Sequence, residues 1–482
     1  INQAGAQADP TNASPINFTV VFNETTTDFA TGDVTLGGTA GATTAIVTGA
    51  GTTYNVAVSG MTGDGTVIAS LAGGVATDGL GNASAASTST DNTVTRDTAG
   101  PTVTINQAGA QADPTSGSPI NFTVVFTEST TNFATGDVTL GGTAGATTAV
   151  VTGAGTTYNV AVSGMTGDGT VIASLGAGVA TDAAGNGNAA STSTDNTVTR
   201  DTTGPTVTIN QAGAQPDPAN GPAVDFTVVF SEAVTNFVTG DVTLGGTAGA
   251  TTGTVTGAGT TYNVSVSGMT ADGTIIASLA AGVATDALGN ASSASTSTDN
   301  TVTYDTTGPT LTINQAGAQA DPTNASPINF TVVFNETTTD FATGDVTLGG
   351  TAGATTAIVT GAGTTYNVAV SGMTGDGTVI ASVAGGVASD SLGNPCSAST
   401  STDNTVTRDT VGPTVTINQA GAQADPTNAS PINFTVVFNE STTTSAPGDV
   451  TLGGTAGATT AVVTGAGTTY NVAVSGMTGD GT

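Results

Sequence analysis

The feature that most constrains this chain is an uninterrupted repeat of 104 residues. The string Ile-Asn-Gln-Ala-Gly-Ala-Gln begins at five positions with no insertion or deletion between copies: Ile1, Ile105, Ile209, Ile313 and Ile417. Solenoid repeats are shorter, roughly 20–50 residues, whereas about 100 residues is the size of one autonomous domain. The sequence therefore predicts a row of similar domains. Residues 1–70 and 313–382 are identical, so the recurrence of a residue is weak evidence that it has a function.

The boundaries between repeats are predicted at an Asp-Thr-x-Gly-Pro segment, which occurs at Asp97–Pro101, Asp201–Pro205, Asp305–Pro309 and Asp409–Pro413. Proline has a restricted φ angle and biases the preceding residue toward extended geometry, so these segments are expected to be short, stiff joints. The predicted domains are 1–100, 101–204, 205–308, 309–412 and 413–482. The first is expected to lack its opening residues and the fifth its last third, as in part of a longer array.

The local pattern within a repeat has a period of two, which is typical of β-strands. Ile16, Phe18, Val20 and Phe22 alternate with more polar positions. Seven runs of this kind are separated by Gly, Asn, Asp and Pro clusters: 16–22, 34–36, 46–48, 54–58, 67–71, 93–95 and 102–105. Seven short strands in about 100 residues predict an all-β fold, a seven-stranded Greek-key sandwich repeated in tandem along an extended rod.

Composition excludes several classes of function. The chain has 35 acidic residues against three basic ones and a net charge of −32, which opposes binding to nucleic acids and to anionic membranes. No apolar run is long enough to span a membrane. Without histidine there is no Ser-His or Cys-His pair and no imidazole metal site. The single thiol, Cys396, cannot form an intrachain disulfide. We therefore predict that the chain is not an enzyme.

Several short segments carry a resemblance to a known family. They are Phe22–Glu24, Gly32–Leu36, Gly51–Tyr54, Gly63–Thr66, Val75–Asp78 followed by Gly81-Asn82, and the Asp97–Pro101 joint. The pattern resembles the bacterial immunoglobulin-like (Ig-like) tandem repeats of large secreted surface proteins and adhesins. The resemblance implies Ig-like sandwich domains and an extracellular position at a bacterial surface. It also implies neighbouring copies or domains of the same protein as partners, with a host or surface ligand bound only through a tip outside this sequence.

The acidic residues suggest a metal site at each joint. On a Greek-key sandwich, Asp9, Asp64 and Asp97 are expected at the end that faces the next repeat, whose Glu128 and Asp182 with Asn186 lie at its near end. Carboxylate and amide oxygens are the ligands of hard cations, and Ca²⁺ takes six to eight of them. So many carboxylates in one crevice would repel each other without a counter-ion. We therefore predict Ca²⁺ bridging consecutive domains, a placement similar to that in cadherin-type joints.

The same positions recur at the other joints: Asp113, Asp168, Asp201, Glu232, Asp286 and Asn290; Asp217, Asp272, Asp305, Glu336, Asp390 and Asn394; and Asp321, Asp376, Asp409 and Glu440. Mg²⁺ is a less suitable ion because it prefers octahedral, hydrated sites. The alternative is that all of these residues are solvated loop acids, since Asp and Asn favour turns through bonds to their own backbone.

Three functions are compatible with these features. The first is a structural rod, either the stalk of a bacterial surface adhesin or the shaft of a surface filament. The second is a self-assembling filament subunit, joined laterally or by strand exchange. The third is an array of glycan- or surface-binding modules that uses the Thr-rich faces, although aromatic residues are only 4% of the chain and Trp is absent.

Overall fold

The computed structural model describes all 482 residues, from Ile1 to Thr482. The regular structure is β-strand apart from five single-turn 3₁₀ helices, which confirms the predicted all-β class. No helix has the length and apolar character needed to cross a membrane.

Each repeat presents the same elements in the same order. The first strand is Asn2–Gln3, Val103–Gln107, Val207–Gln211, Leu311–Gln315 or Val415–Gln419. The second is Ile16–Thr26, Ile120–Thr130, Ala223–Val234, Ile328–Thr338 or Ile432–Thr442. The 3₁₀ helix follows at Thr31–Asp33, Thr135–Asp137, Thr239–Asp241, Thr343–Asp345 or Pro447–Asp449.

The remaining strands complete the repeat. The third strand is Val34–Gly37, Val138–Gly141, Val242–Gly245 or Val346–Gly349. The fourth is Thr44–Ser59, Thr148–Ser163, Thr252–Ser267, Thr356–Ser371 or Thr460–Ser475. The fifth is Gly65–Leu71, Gly169–Leu175, Gly273–Leu279 or Gly377–Val383. The sixth is Thr93–Arg96, Thr197–Arg200, Thr301–Tyr304 or Thr405–Arg408.

The strands of a complete repeat form two antiparallel sheets. One contains the first, second and fourth strands, and the other contains the third, fifth and sixth. In the second repeat Val124 lies opposite Ile105 on one side and Tyr158 on the other. These three side chains are buried, because the period-two pattern places every second residue of a strand on the same face. These two sheets confirm the predicted β-sandwich.

The fourth strand of each repeat doubles back on itself. A straight strand of 16 residues would be about 50 Å long at a rise of about 3.3 Å per residue. The N–H of Thr43 nevertheless donates to the carbonyl oxygen of Ser59 at 3.2 Å. Gly49 and Gly51 have φ angles of 118° and 77°, a region that glycine enters without a steric penalty. The two arms are the predicted runs at 46–48 and 54–58, so all seven predicted runs are extended.

The core of a complete repeat lies between its two sheets. Phe122, Val160, Val162 and Val171 of the second repeat are fully buried in one hydrophobic cluster. Beside them, three aromatic rings pack edge to face with centroids 5.0–5.9 Å apart: Phe126, Phe133 and Tyr158. In the fifth repeat Ser445 replaces the middle ring, and only Phe438 and Tyr470 remain in contact, at 5.8 Å.

Residue contacts divide the chain into two compact units. One comprises Ile1–Gln215, Pro222–Thr270 and Thr274–Val302, and the other comprises Pro216–Gly221, Ala271–Gly273 and Thr303–Thr482. The first unit holds the first two repeats and most of the third. The second holds the fourth and fifth repeats with small pieces of the third. The domain limits at 101, 205, 309 and 413 therefore stay predictions from the sequence period.

Candidate metal centre

A cluster of three carboxylates lies at the joint between the first and second repeats. Asp97 directly follows the last strand of the first repeat, Glu128 lies near the end of the second strand of the next repeat, and Asp182 begins a loop of that repeat. One carboxylate oxygen from each lies within 4.8 Å of the other two. Asp182 is buried, and Asp97 and Glu128 are half-buried. We call such a group an acid cluster.

The same arrangement recurs at the next two joints. The second acid cluster contains Asp201, Glu232 and Asp286, and the third contains Asp305, Glu336 and Asp390. In both, the last residue is 6% exposed. Each acid cluster therefore combines one carboxylate from the end of a repeat with two from the repeat that follows.

A hydrogen-bonded loop holds the buried aspartate in place. The Asp182 carboxylate accepts from the backbone N–H of Asn186 at 2.8 Å and from its side-chain amide at 2.9 Å. Gly185 has a φ of 88°, which permits the tight turn between them. We call this segment the Asp-to-Asn loop. It also occurs at residues 78–82, 286–290 and 390–394, with the same internal bonds.

The asparagine at the end of this loop also connects the two repeats. The side-chain amide of Asn186 donates to the carbonyl oxygen of Asp97 at 3.0 Å, and its oxygen accepts from Asn12 of the first repeat at 3.0 Å. Asn290 and Asn394 make the corresponding bonds to the carbonyl oxygens of Asp201 and Asp305 at 3.2 and 3.0 Å. The amide nitrogen of Asn186 therefore faces the acid cluster, while its oxygen faces the preceding repeat.

The glutamate of each acid cluster has a raised pKa. The pKa of Glu128 is raised by burial first and then by the negative charges of Asp97 and Asp182. Glu232 has a raised pKa for the same reasons. Burial followed by Asp390 and Asp305 raises that of Glu336, against a smaller opposing hydrogen bond from Asn335. Near a protein surface, two like charges about 5 Å apart repel by roughly 3 kcal/mol.

The aspartates at two predicted ligand positions lie outside the acid clusters and accept hydrogen bonds from their own repeat. Asp9 accepts from the backbone N–H of Thr95 at 2.8 Å, and its counterparts bond in the same way to the sixth strand: Asp113, Asp217 and Asp321. These carboxylates connect the loop before the second strand to the last strand. Their part in a metal site stays a prediction.

The other outlying position anchors the joint itself. Asp64 accepts from the N–H and hydroxyl of Thr98 at 3.0 and 2.8 Å and lies 3.4 Å from Arg96. Its counterparts receive the same pair of threonine bonds: Asp168, Asp272 and Asp376. Hydrogen bonds from the joint threonines, chiefly those of Thr203 and Thr307, lower the pKa of Asp168 and Asp272.

The fourth joint has only part of this arrangement. The Asp409 carboxylate accepts from the N–H of Val411 at 3.1 Å, and Glu440 lies in the second strand of the fifth repeat. The sequence ends at Thr482, before the position that corresponds to the Asp-to-Asn loop of the other repeats. In the first repeat, Glu24 and Asp78 correspond to Glu128 and Asp182, and the sequence includes no counterpart of Asp97 before them.

Two kinds of residue make contacts at the joints that the sequence pattern does not predict. Asn12 reaches across the first joint to Asn186, although it lies in a turn-rich segment with no signal of its own. The glycine of the Asp-Thr-x-Gly-Pro segment packs against the next repeat: a Cβ on Gly100 would lie 2.0 Å from the carbonyl oxygen of Gly187. The one sequence signal for this contact is that glycine precedes the proline in all four of these segments.

The acid cluster offers oxygen ligands only, and this limits its chemistry. Three carboxylates in reach of one point could bind a metal ion, and no nitrogen or sulfur ligand accompanies them. Such a donor set suits hard cations such as Ca²⁺, Mg²⁺ or Mn²⁺ rather than zinc or copper. Asp97, Glu128 and Asp182, with their counterparts at the next two joints, are the residues that could hold it.

Comparison with known proteins supports the domain type. Residues 201–304 match the family model of the bacterial Ig-like domain, a span of one full period that begins at the second joint. No curated protein matches the chain. Domains of this family are typically non-enzymatic structural modules of bacterial surface proteins.

Proposed function

Because the chain is a tandem array of bacterial Ig-like domains, we propose that it is the structural stalk of a bacterial surface adhesin, with joints stiffened by Ca²⁺. One observation carries the proposal. The same three carboxylates, drawn from two consecutive repeats, meet within 4.8 Å at each of three joints. A bound cation there would connect the end of one domain to two segments of the next.

The energetics of the acid cluster favour a bound cation. Burial and, after it, repulsion from the neighbouring aspartates raise the pKa of Glu128, Glu232 and Glu336, so the assembled joint holds its negative charge at a cost. A divalent ion removes that cost and gains three charged ligands. Since the ligands come together only when the two repeats are docked, the binding free energy stabilises the joint, by about 2.7 kcal/mol at a hundredfold excess over Kd.

Calcium is the ion that we propose. Its irregular coordination by six to eight oxygens tolerates one carboxylate oxygen from each of three segments, with backbone carbonyls and water completing the shell. Magnesium requires near-octahedral geometry and keeps most of its water, so it would gain less from a cluster of this kind. Stiff joints suit a stalk, because they hold an adhesive tip away from the cell surface.

The test is a calcium titration of the full chain in chelator-treated buffer, followed by thermal melts and small-angle scattering. We expect three sites per chain, one for each acid cluster, a higher melting temperature and a narrower range of particle dimensions with Ca²⁺. A weaker response to Mg²⁺ at equal concentration supports the choice of ion.

The matched control removes one negative charge from each cluster, with Glu128, Glu232 and Glu336 all changed to Gln. Calcium effects that persist in this variant, or that are absent from the unaltered chain, would overturn the calcium proposal. Images with regular lateral or helical packing of many chains would instead favour a self-assembling filament over a single stalk.

A further inference from the structure

We propose that each joint also contains a cation-independent clasp, formed by the joint glycine and the asparagine of the Asp-to-Asn loop. The inference rests on the proposed stalk function, because it concerns how the joints are held rigid. In this proposal, neutral groups hold the two repeats in their observed arrangement without a cation, and a bound cation only adds stability. The clasp consists of Gly100 with Asn186, Gly204 with Asn290, and Gly308 with Asn394.

The glycine brings two backbones into direct contact. A Cβ on Gly100, Gly204 or Gly308 would lie 2.0, 1.8 or 1.9 Å from a carbonyl oxygen in the following repeat. Observed Cβ contacts are essentially never shorter than 3.0 Å, so any side chain at this position would push the joint segment away from the loop. At the fourth joint, where the sequence includes no counterpart of the facing loop, a Cβ on Gly412 would have no atom within 4 Å.

The asparagine then connects the loop to the end of the preceding repeat. One amide nitrogen of Asn394 donates both to the carbonyl oxygen of Asp305 and to the carboxylate of Asp390, at 3.0 and 2.9 Å. Asn394 is only 6% exposed, so water competes little for these bonds. In the first repeat, Asn82 makes the equivalent bond to Asp78 at 2.8 Å and makes no bond to a carbonyl oxygen of another repeat.

A third contact strengthens the clasp at two of the joints. Asn12 donates to the side-chain oxygen of Asn186 at 3.0 Å, and Asn220 donates to that of Asn394 at the same distance. Asn220 also donates to the carbonyl oxygen of Leu392 at 2.8 Å. The donors and acceptors of the bonds between repeats are all neutral. Their hydrogen bonds therefore need no counter-ion, and they are less sensitive to salt than ion pairs.

The experiment compares two variants of the full chain in excess chelator. In the first, Asn186, Asn290 and Asn394 are all changed to Ala. In the matched control, Asn82→Ala removes the same bond from a loop that contacts no other repeat in this structure. We expect small-angle scattering to give the control and the unaltered chain the same maximum dimension. The triple variant should show a shift to shorter, more broadly distributed dimensions.

Single variants keep the test decisive if the triple variant fails to fold. Hydrogen exchange of residues 305–309 should become faster in Asn394→Ala than in Asn82→Ala, again in chelator. Equal exchange in the two variants, or a chelated unaltered chain as flexible as the triple variant, would overturn the clasp. If calcium changes nothing in any chain while the triple variant is still loosened, the clasp stands and the calcium proposal fails.

Discussion

The Asp-to-Asn loop occurs in two settings, exposed in the first repeat and docked in the third. In both, the aspartate accepts from the backbone N–H and the side-chain amide of the asparagine at 2.8 Å. The surroundings differ. Leu80 of the first repeat is 91% exposed, whereas Leu288 of the third is half-buried, and Asp286 is 6% exposed. The loop therefore has its shape before a neighbour docks, and docking adds burial and two further carboxylates.

The pKa of the loop aspartate reflects this difference. Hydrogen bonds from Asn82, chiefly its side-chain amide, lower the pKa of Asp78. At Asp286 burial is the largest influence and acts upward, yet the combined hydrogen bonds from Asn290 and the adjacent backbone still lower the pKa. The Asp-to-Asn loop of the third repeat thus favours the ionised form of Asp286 inside the joint. The charge remains available to a cation even after most of the surrounding water has been removed.

The largest expected effect comes from adding a methyl group at a docked joint. Gly204→Ala should destabilise the second joint by about 1–3 kcal/mol, because the new Cβ would overlap the carbonyl oxygen of Ala291. Hydrogen exchange of residues 282–292 measures this local opening. Gly412→Ala is the control, since its Cβ has open space. Equal exchange in the two variants would show that the contact at Gly204 relaxes without loss.

Neutralising the cluster glutamates should change stability in opposite directions with and without calcium. Without a cation, the Glu128, Glu232 and Glu336 to Gln variant should melt higher than the unaltered chain, because the cost of burying three charges and their repulsion by the aspartates are both removed. With calcium it should melt lower and bind the ion more than about tenfold more weakly, since each site loses a charged ligand. Glu24→Gln, at an exposed position before any joint, should do neither. A shift of the same sign in both buffers would contradict the interpretation.

Acid should have a biphasic effect on the cation-free chain. A carboxyl group whose pKa is higher in the folded than in the unfolded chain destabilises the fold above its folded pKa. This cost disappears as the pH falls to the group's ordinary pKa of about 4.5. The melting temperature should therefore rise slightly from neutral pH to that point. Below about 3.8 the stabilising aspartates with lowered pKa values, such as Asp272 and Asp286, become protonated and the fold weakens. The glutamine variant should lack the initial rise.

The smallest expected effect is an added hydrogen bond at the second joint. Ser116 donates to the carbonyl oxygen of Leu288 at 3.5 Å, the outer limit for a hydrogen bond, whereas Asn220 makes two shorter bonds at the third joint. Ser116→Asn should reproduce those bonds and stabilise the second joint by about 0.5–1.5 kcal/mol. Slower hydrogen exchange of residues 286–290 would confirm it. Asn324→Ser, at the fourth joint, should leave exchange unchanged.

Much of the fold could be predicted from the sequence, because the strand pattern is local. Alternating residues such as Phe18 and Val20 identify the buried face, and the glycines at 49 and 51 allow the chain to reverse. The convergence of Asp97, Glu128 and Asp182 also followed from strand direction, since all three were assigned to facing ends of consecutive domains. These inferences need only the order of elements and the end of the sandwich at which each loop lies.

The partners within the joint could not be predicted in this way. Asp64 and Asp97 were expected in one site, yet Thr98 engages the carboxylate of Asp64 while that of Asp97 lies in the acid cluster. Assigning a loop to one end of a sandwich locates it only to within several ångströms. Whether a hydrogen bond forms depends on differences of tenths of an ångström in the donor–acceptor distance. Threonine hydroxyls, which compete as donors, occur throughout the chain, so the sequence does not show which of them binds a given carboxylate.

The sequence by itself determined the repeat, the strands, the scarcity of basic residues, the lack of histidine, and the set of acids available at each joint. Only the tertiary structure decided which carboxylates meet, which asparagine connects two repeats, and why glycine precedes the joint proline. The physical reason is that strand formation depends on neighbours along the chain, whereas the joint depends on contacts between residues such as Gly100 and Gly187. Those contacts exist only after two domains have folded and docked.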